Sequence, residues 1–254
     1  MAVSKFAYVK SFEQPDSLLP NTYIVVRVDG HAFHRLSQDH QFIRPNDDRA
    51  LQLMDHAAKD VMKEFTDIVM AFGESDEYSF LFRKTSTAHK RRHAKILSIV
   101  TSTFTSSYAF HWSKYLPNTP LQYPPTFDAR VVLYPSAKEI RDYFSWRQSD
   151  THVNNLYNTI FWALVQQAGE TTSRAHEILK GTVSKQKNEM LYSRFGINYN
   201  DLPLRYRKGT TLVREKATSE NTLDGREKPS SEVVVLHCDI IKDEFWDGRR
   251  HLLE

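Results

Sequence analysis

Along the first half of the chain the apolar residues switch repeatedly between two periods. Thr22 to Val28 (TYIVVRV) is a run of β-branched and aromatic residues that closes on Asp29-Gly30, which predicts a strand ending in a turn. Arg44-Pro45-Asn46-Asp47 then supplies a proline and polar capping residues. Beyond it Leu51, Met54, Ala58, Val61, Met62 and Phe65 recur at three- and four-residue steps, the stripe of a helix buried along one side. Ile68 to Phe72 and Tyr78 to Phe82 are short apolar runs around Gly73-Glu74-Ser75-Asp76-Glu77, two strands and their turn. A second long helix is predicted from about His89 to Tyr115, burying Ile96, Ile99, Val100 and Tyr108. Phe127, Ala129, Val131 and Leu133 alternate as a fourth strand, stopped by Pro135.

The order β-α-β-β-α-β is the split βαβ plan of ferredoxin-like α+β domains. From Ser136 onward the pattern turns helical, in segments near 136–147, 150–168, 171–180 and 184–194. Gly209 to Arg214 and Val233 to Asp239 read as strands, and the polar stretch Thr218 to Ser231 between them reads as a mobile loop. The expected division is a ferredoxin-like domain over residues 1–135 and a mostly helical extension over 136–254, packed on it.

This plan has a chemical consequence. A right-handed crossover makes the first two strands parallel, so both finish at one edge of the sheet. Asp29 ends the first and Asp76 lies in the turn leaving the second, so the two carboxylates are predicted to meet. Like charges at short range disfavour joint ionisation, and a divalent cation removes that penalty. Oxygen ligands suit magnesium, and two such ions can clamp an attacking oxygen and a triphosphate. Gly30 permits close backbone approach, and the amides of His31, Ala32, Phe33 and His34 can wrap a triphosphate. The plainer reading is an Asp-Gly turn and a hairpin tip, and the residues alone leave both open. His31 and His34 have no third ligand at a recognised zinc spacing.

A chain of 254 residues with 40% hydrophobic and 26% charged positions can bury a large core as an ordinary globular protein. No window approaches the roughly 18 apolar residues of a membrane span. The start, MAVSKFAYVK, has no apolar signal region, so a cytoplasmic or nuclear location is expected. Cys238 is the sole cysteine, which excludes an intrachain disulfide and a cysteine-rich zinc site. Net charge is +3. The basic residues cluster in His89-Lys90-Arg91-Arg92-His93-Ala94-Lys95, Arg205-Tyr206-Arg207-Lys208 and Arg249-Arg250, which fits phosphate contacts and solvated surface equally. Phe161, Trp162 and Leu164 fit a subunit interface or a monomer core.

At these positions the sequence resembles the tRNA-histidine guanylyltransferase family. The matching blocks are Arg27 to His34 (RVDGHAFH), Arg44 to Asp47 (RPND) and Phe72 to Phe80 (FGESDEYSF). Phe127 to Arg130 (FDAR), His152 to Asn158 (HVNNLYN) and Arg207 to Thr210 (RKGT) follow in order. The resemblance runs from the first strand to about residue 245. It implies a palm domain like those of polymerases and nucleotide cyclases, and a reversed polymerisation at the 5′ end of histidine tRNA. ATP activates the 5′ monophosphate, the 3′ hydroxyl of GTP displaces AMP, and pyrophosphate is removed from the added nucleotide.

Carried over by residue, Asp29, Asp76 and the Gly30 carbonyl would hold two magnesium ions, with Glu77 supporting the site. His31, Ala32, Phe33, His34, Arg44, Asp47 and Ser75 would contact GTP. Arg27, Lys95, Arg130, His152, Asn155 and Lys187 would lie near the activating triphosphate or the RNA end. The resemblance also implies a homotetramer and RNA contacts from the extension. The family often has Arg-Asn or Arg-Gly where this chain has His31-Ala32, and often lysine where it has Arg44. Rival readings are a cyclase on the same palm, a related tRNA 5′-end repair polymerase, and an RNA-binding protein without catalysis.

Overall fold

The structure, a computed structural model, describes residues 4–216 and 231–254. The stretch expected to form a loop, Thr218 to Ser231, lies outside the described residues apart from Ser231. The first half runs β1 (Tyr23–His31), α1 (Phe33–Asp39), α2 (Asp48–Glu64), β2 (Ile68–Glu74), β3 (Glu77–Phe82), α3 (His93–Tyr115) and β4 (Thr126–Tyr134). The second half runs α4 (Ala137–Gln166), α5 (Thr172–Leu179), α6 (Ser184–Phe195), α7 (Leu204–Lys208), β5 (Thr210–Lys216), β6 (Ser231–Leu236) and α8 (Asp243–Asp247).

The strands form one sheet in the order β4-β1-β3-β2-β5-β6, with every neighbouring pair antiparallel. Because β1 and β2 each run antiparallel to β3, they are parallel to one another, as the crossover argument requires. The α+β class and the split βαβ plan are borne out. Beyond that plan, the sheet does not end with the four strands of the first half: β5 and β6 extend it at the β2 edge.

Alternation along β1 assigns its two faces. Ile24, Val26 and Val28 pack with α2 and α3 residues such as Leu53, Met62 and Phe104. Tyr23 and Val25 face the other way, against Ile140 and Phe144 of α4 and Trp246 of α8. By the same period Arg27 and Asp29 belong to the α4 side. A third cluster joins Leu156, Ile160 and Leu164 of α4 to Leu179 and Leu191. Phe161 and Leu164 are therefore monomer core, and the interface reading is not available to them.

Three local differences from the sequence reading have physical causes. The segments near 136–147 and 150–168 are one helix because no Gly or Pro interrupts them; the Ser149 and Thr151 hydroxyls are satisfied by carbonyls four residues back and so do not open a turn. The third helix begins at His93, not His89. Ahead of it Arg91 turns inward, buried, and donates to the carbonyls of Leu19, Thr22 and Ser86. The short helix α1, with few apolar residues to mark it, follows β1 directly. At the start of α2 the Asp47 side chain accepts from the Arg49 amide, a regular N-cap.

Candidate active site

The site grows from strand register. Asp29 lies opposite Glu77 of β3 and opposite Asp128 of β4, and Glu77 lies opposite Glu74 of β2. Residues directly opposite share a sheet face, so four carboxylates stand in a row across four strands. One step back on that face, Arg27 lies opposite Arg130. Its guanidinium donates to Asp29 Oδ2 at 3.0 Å and approaches Glu77 Oε2 at 3.9 Å. From above, Arg147 of α4 donates to both Glu77 oxygens at 3.1 and 3.2 Å and pairs with Asp150.

Asp76 stands past the end of this row, in the two-residue turn between β2 and β3, where Ser75 takes a left-handed conformation (φ 48°). The Gly30 amide donates to the Asp76 carbonyl at 2.9 Å, tying the end of β1 to this turn. A Cβ at Gly30 would stand 2.4 Å from the Phe33 ring and 3.0 Å from Asp76 Cβ. A glycine is required by that packing. Gly73 is similarly constrained, since a Cβ there would meet the Tyr78 ring at 2.2 Å.

The electrostatics follow from burial and crowding. Burial, reinforced by the neighbouring Asp29 charge, pushes the Asp76 carboxyl up to about 6. Burial also pushes Glu74 up to about 8, with Glu77 and Asp150 adding to it against Thr151 and Arg147. Glu77 is raised by burial too, and Arg147 and Arg27 oppose that rise. An oxygen-rich, over-acidic pocket of this kind suits a hard divalent ion, and the Asp29, Asp76 and Gly30 oxygens fit that chemistry.

Beside the carboxylates opens a cleft of about 950 Å³ between the palm edge, the α1–α2 connection and α4. Its walls include Phe33, His34, Arg44, Asp47, Ser75 and Asn155, together with Asp76. Arg44 donates to Ser37 at 2.8 Å and lies over the Trp162 ring. Asp47 is engaged by Arg49 and the Ile43 amide as well as capping α2. Asn155 accepts from Asn46 and donates to the Tyr199 hydroxyl. His31 and Ala32 are exposed next to it.

Arg27, Asp29, Gly30 and Glu77 lie behind the cleft wall rather than in it, and Lys95, Arg130, His152 and Lys187 are not in it either. Lys95 is exposed in the first turn of α3, and Arg130 is exposed on β4 beside the carboxylate row. His152 packs edge-on against Tyr199, and Lys187 donates to the Thr182 carbonyl.

A family model described as tRNAHis guanylyltransferase matches residues 6–135, and one described as Thg1 C terminal domain matches residues 138–242. The chain belongs to the tRNAHis guanylyltransferase family. Members of this family are nucleotidyltransferases. A Drosophila melanogaster protein named "Probable tRNA(His) guanylyltransferase" is 55% identical over 253 residues, covering 100% of this chain and 86% of that one. The crystal structure of the Saccharomyces cerevisiae tRNA(His) guanylyltransferase superposes with a TM-score of 0.80 at 44% identity, over 86% of this chain and 97% of that one. A bacterial tRNA(His) guanylyltransferase-like protein in complex with ATP gives a TM-score of 0.73 at 23% identity, over 97% and 96% of the two chains, and shows the shared fold.

Against the family blocks, three residues of the site had no role assigned from sequence. Asp128 is legible in hindsight, because Phe127 and Ala129 face the core and Asp128 must face the other way. Glu74 stands in the same FGESDEYSF block as Asp76, at the end of β2. Arg147 carries no local signal. It meets Glu77 only because α4 crosses that face of the sheet.

Proposed function

We propose that this chain adds a guanosine nucleotide to the 5′ end of histidine tRNA in the 3′-5′ direction. The observation that supports this reading is that the end of β1 at Asp29-Gly30 is tied to the Asp76 turn, and that Asp76 lines a cleft large enough for a nucleoside triphosphate. Asp29, Asp76 and the Gly30 carbonyl would hold two magnesium ions, which when bound supply charge neutralisation at the reacting phosphates. The protein's own groups do the positioning. Arg27 and Arg147 hold Glu77 in place behind the metal ligands. The backbone from His31 to His34, with Ser75, Arg44 and Asp47, receives the GTP.

In the first half-reaction the RNA 5′ monophosphate oxygen attacks the α-phosphate of ATP and releases pyrophosphate. In the second, the 3′ hydroxyl of GTP attacks the activated 5′ phosphate, forms the new phosphodiester and releases AMP. The pyrophosphate on the new 5′ nucleotide is then hydrolysed. Arg27, Lys95, Arg130, His152, Asn155 and Lys187 serve the activating triphosphate or the RNA end. The second half of the chain, residues 136–254, is the RNA-contacting extension of a palm over residues 1–135. The protein works as a homotetramer, for which exposed Phe6, Phe12 and Phe110 offer apolar surface outside the core.

A tRNA with a 5′ triphosphate already carries its leaving group, so it needs no ATP. The wild-type protein is expected to add guanosine to that substrate without ATP, and to require ATP for the monophosphate. At least one of Lys95→Ala, Arg130→Ala and His152→Ala should lose far more activity on the monophosphate than on the triphosphate. An ATP requirement that persists on the triphosphate would overturn the activation scheme.

A further inference from the structure

Away from the carboxylate row, α2 and α3 present a second group of ligand-bearing side chains. His56 and Asp60 are four residues apart on α2, hence on one face, and His111 reaches them from α3. One donor atom from each lies within 4.8 Å of the others. We propose that His56, Asp60 and His111 form a zinc site that clips α2 to α3. This inference stands apart from the guanylyl-transfer reading and uses none of its residues.

The distances place Asp60 at the centre. Its Oδ2 is 3.0 Å from His111 Nε2 and 3.9 Å from His56 Nε2. The other ring nitrogen of His56, Nδ1, lies 2.9 Å from the Tyr115 hydroxyl. When Nδ1–H donates to Tyr115, Nε2 keeps its lone pair on the side of the Asp60 carboxylate, the arrangement a shared cation would use. Such a tautomer-fixing partner is the usual second layer of a histidine metal ligand. Ser107 donates to Asp60 Oδ2 at 2.6 Å and orients the carboxylate in the same way.

The chemistry of the donors selects the ion. Two imidazoles and one carboxylate suit zinc or a neighbouring transition ion with an open position for water. Magnesium prefers an all-oxygen shell. Asp60 stays ionised at neutral pH: burial opposes this, but hydrogen bonds from Lys63, Ser107 and His111 outweigh it and hold the carboxyl at about 2. Burial, followed by the neighbouring His111, lowers the His56 pKa against the pull of Asp60, which favours the neutral ring that ligates a metal. The two rings are stacked with centroids 3.7 Å apart, so their lone pairs run side by side, and binding one ion requires His111 to turn while His56 stays on Tyr115. The three side chains are 17 to 23% exposed, which leaves solvent a way in. Lys63, on Asp60 Oδ1 at 2.8 Å, is itself exposed and free to swing aside.

The full chain, stripped with chelator and returned to excess Mg2+ so that hard-ion sites are filled, is titrated with Co2+ by absorption and with Zn2+ by calorimetry. One equivalent of Co2+ with ligand-field bands, displaced by Zn2+, is expected, together with a Zn2+-dependent rise in melting temperature. His111→Ala and Asp60→Asn should abolish the bands, and Tyr115→Phe should weaken Zn2+ binding about tenfold. Asp60→Asn, nearly unchanged in shape, decides the matter if His111→Ala fails to fold in chelator. No binding by the wild type, or equal binding by a folded Asp60→Asn variant, overturns the site.

Discussion

The Gly30 amide donates to the Asp76 carbonyl at 2.9 Å, so the end of β1 is pinned to the turn that carries the second carboxylate. The same glycine lies under the Phe33 ring, where a Cβ would come within 2.4 Å. Gly30→Ala must therefore push aside either Phe33, which packs on Phe127 and Tyr108, or the Asp76 turn. A stability loss of about 1–3 kcal/mol is expected from the overpacking. The activity loss should exceed what that instability explains at a temperature where the variant is folded. Urea melts beside turnover measurements check this, and an Ala variant with unchanged turnover would show that the pin is not needed.

The crowded carboxyls make stability depend on pH in a definite direction. The ordinary Asp pKa of 3.8 is raised to about 6 at Asp76 in the folded protein. Between those values the folded state holds a proton that the unfolded chain has lost, so stability falls as pH rises. About two units correspond to about 3 kcal/mol. In chelator, wild type minus Asp76→Asn should therefore show a stability difference that declines from pH 4 to pH 6 and then levels. A difference that rises over this window would contradict the burial of Asp76. Glu74, raised to about 8, should continue the decline of the metal-free protein toward that pH.

Arg147 is 6% exposed and Glu77 13%, and their pair joins α4 to the sheet. Removing one partner leaves the other buried beside further charge. Arg147→Met should cost about 3–5 kcal/mol, and Arg147→Met with Glu77→Gln should recover part of it. Arg147→Lys should rescue poorly, because Arg147 reaches both Glu77 oxygens and Asp150 through its fork. Additive losses in the double-mutant cycle would show the pair to be independent.

The basic runs divide by what already holds them. Arg91 is buried in backbone contacts, Arg205 pairs with Asp55 and Asp48, and Arg92 pairs with Asp16. Lys90 and Lys95 are exposed and make no ion pair among the described residues. If tRNA phosphates meet this surface, Lys90→Gln and Lys95→Gln should each reduce the salt slope of binding by about 1. Arg91→Gln should act on stability instead. A slope unchanged in the double lysine variant would mark the run as solvated surface.

Much of the fold was legible because strong periods mark β1 to β4, α2 and α3, and handedness alone then brings Asp29 and Asp76 together. The seven-residue α1 has too short a pattern to stand out. The joining of β5 and β6 to the β2 edge is a non-local pairing that no single segment encodes. Arg91 read equally as surface charge or phosphate contact, since nothing around it in sequence shows the carbonyls of Leu19 and Thr22 that enclose it. The Arg147 clamp on Glu77 was hidden for the same reason, 70 residues apart along the chain.

Guanosine transfer should depend on both carboxylates of the pair. Wild-type protein and the Asp29→Asn and Asp76→Asn variants, each shown folded by its melting curve, are incubated with Mg2+, ATP, labelled GTP and a 5′-monophosphorylated histidine tRNA transcript. The wild type should label the RNA at its 5′ end, and each variant should fall by about 1000-fold, the scale of losing several kcal/mol of charge stabilisation. Near wild-type labelling by either folded variant would contradict the account, as would a wild type that leaves the RNA unlabelled and converts GTP to a cyclic product.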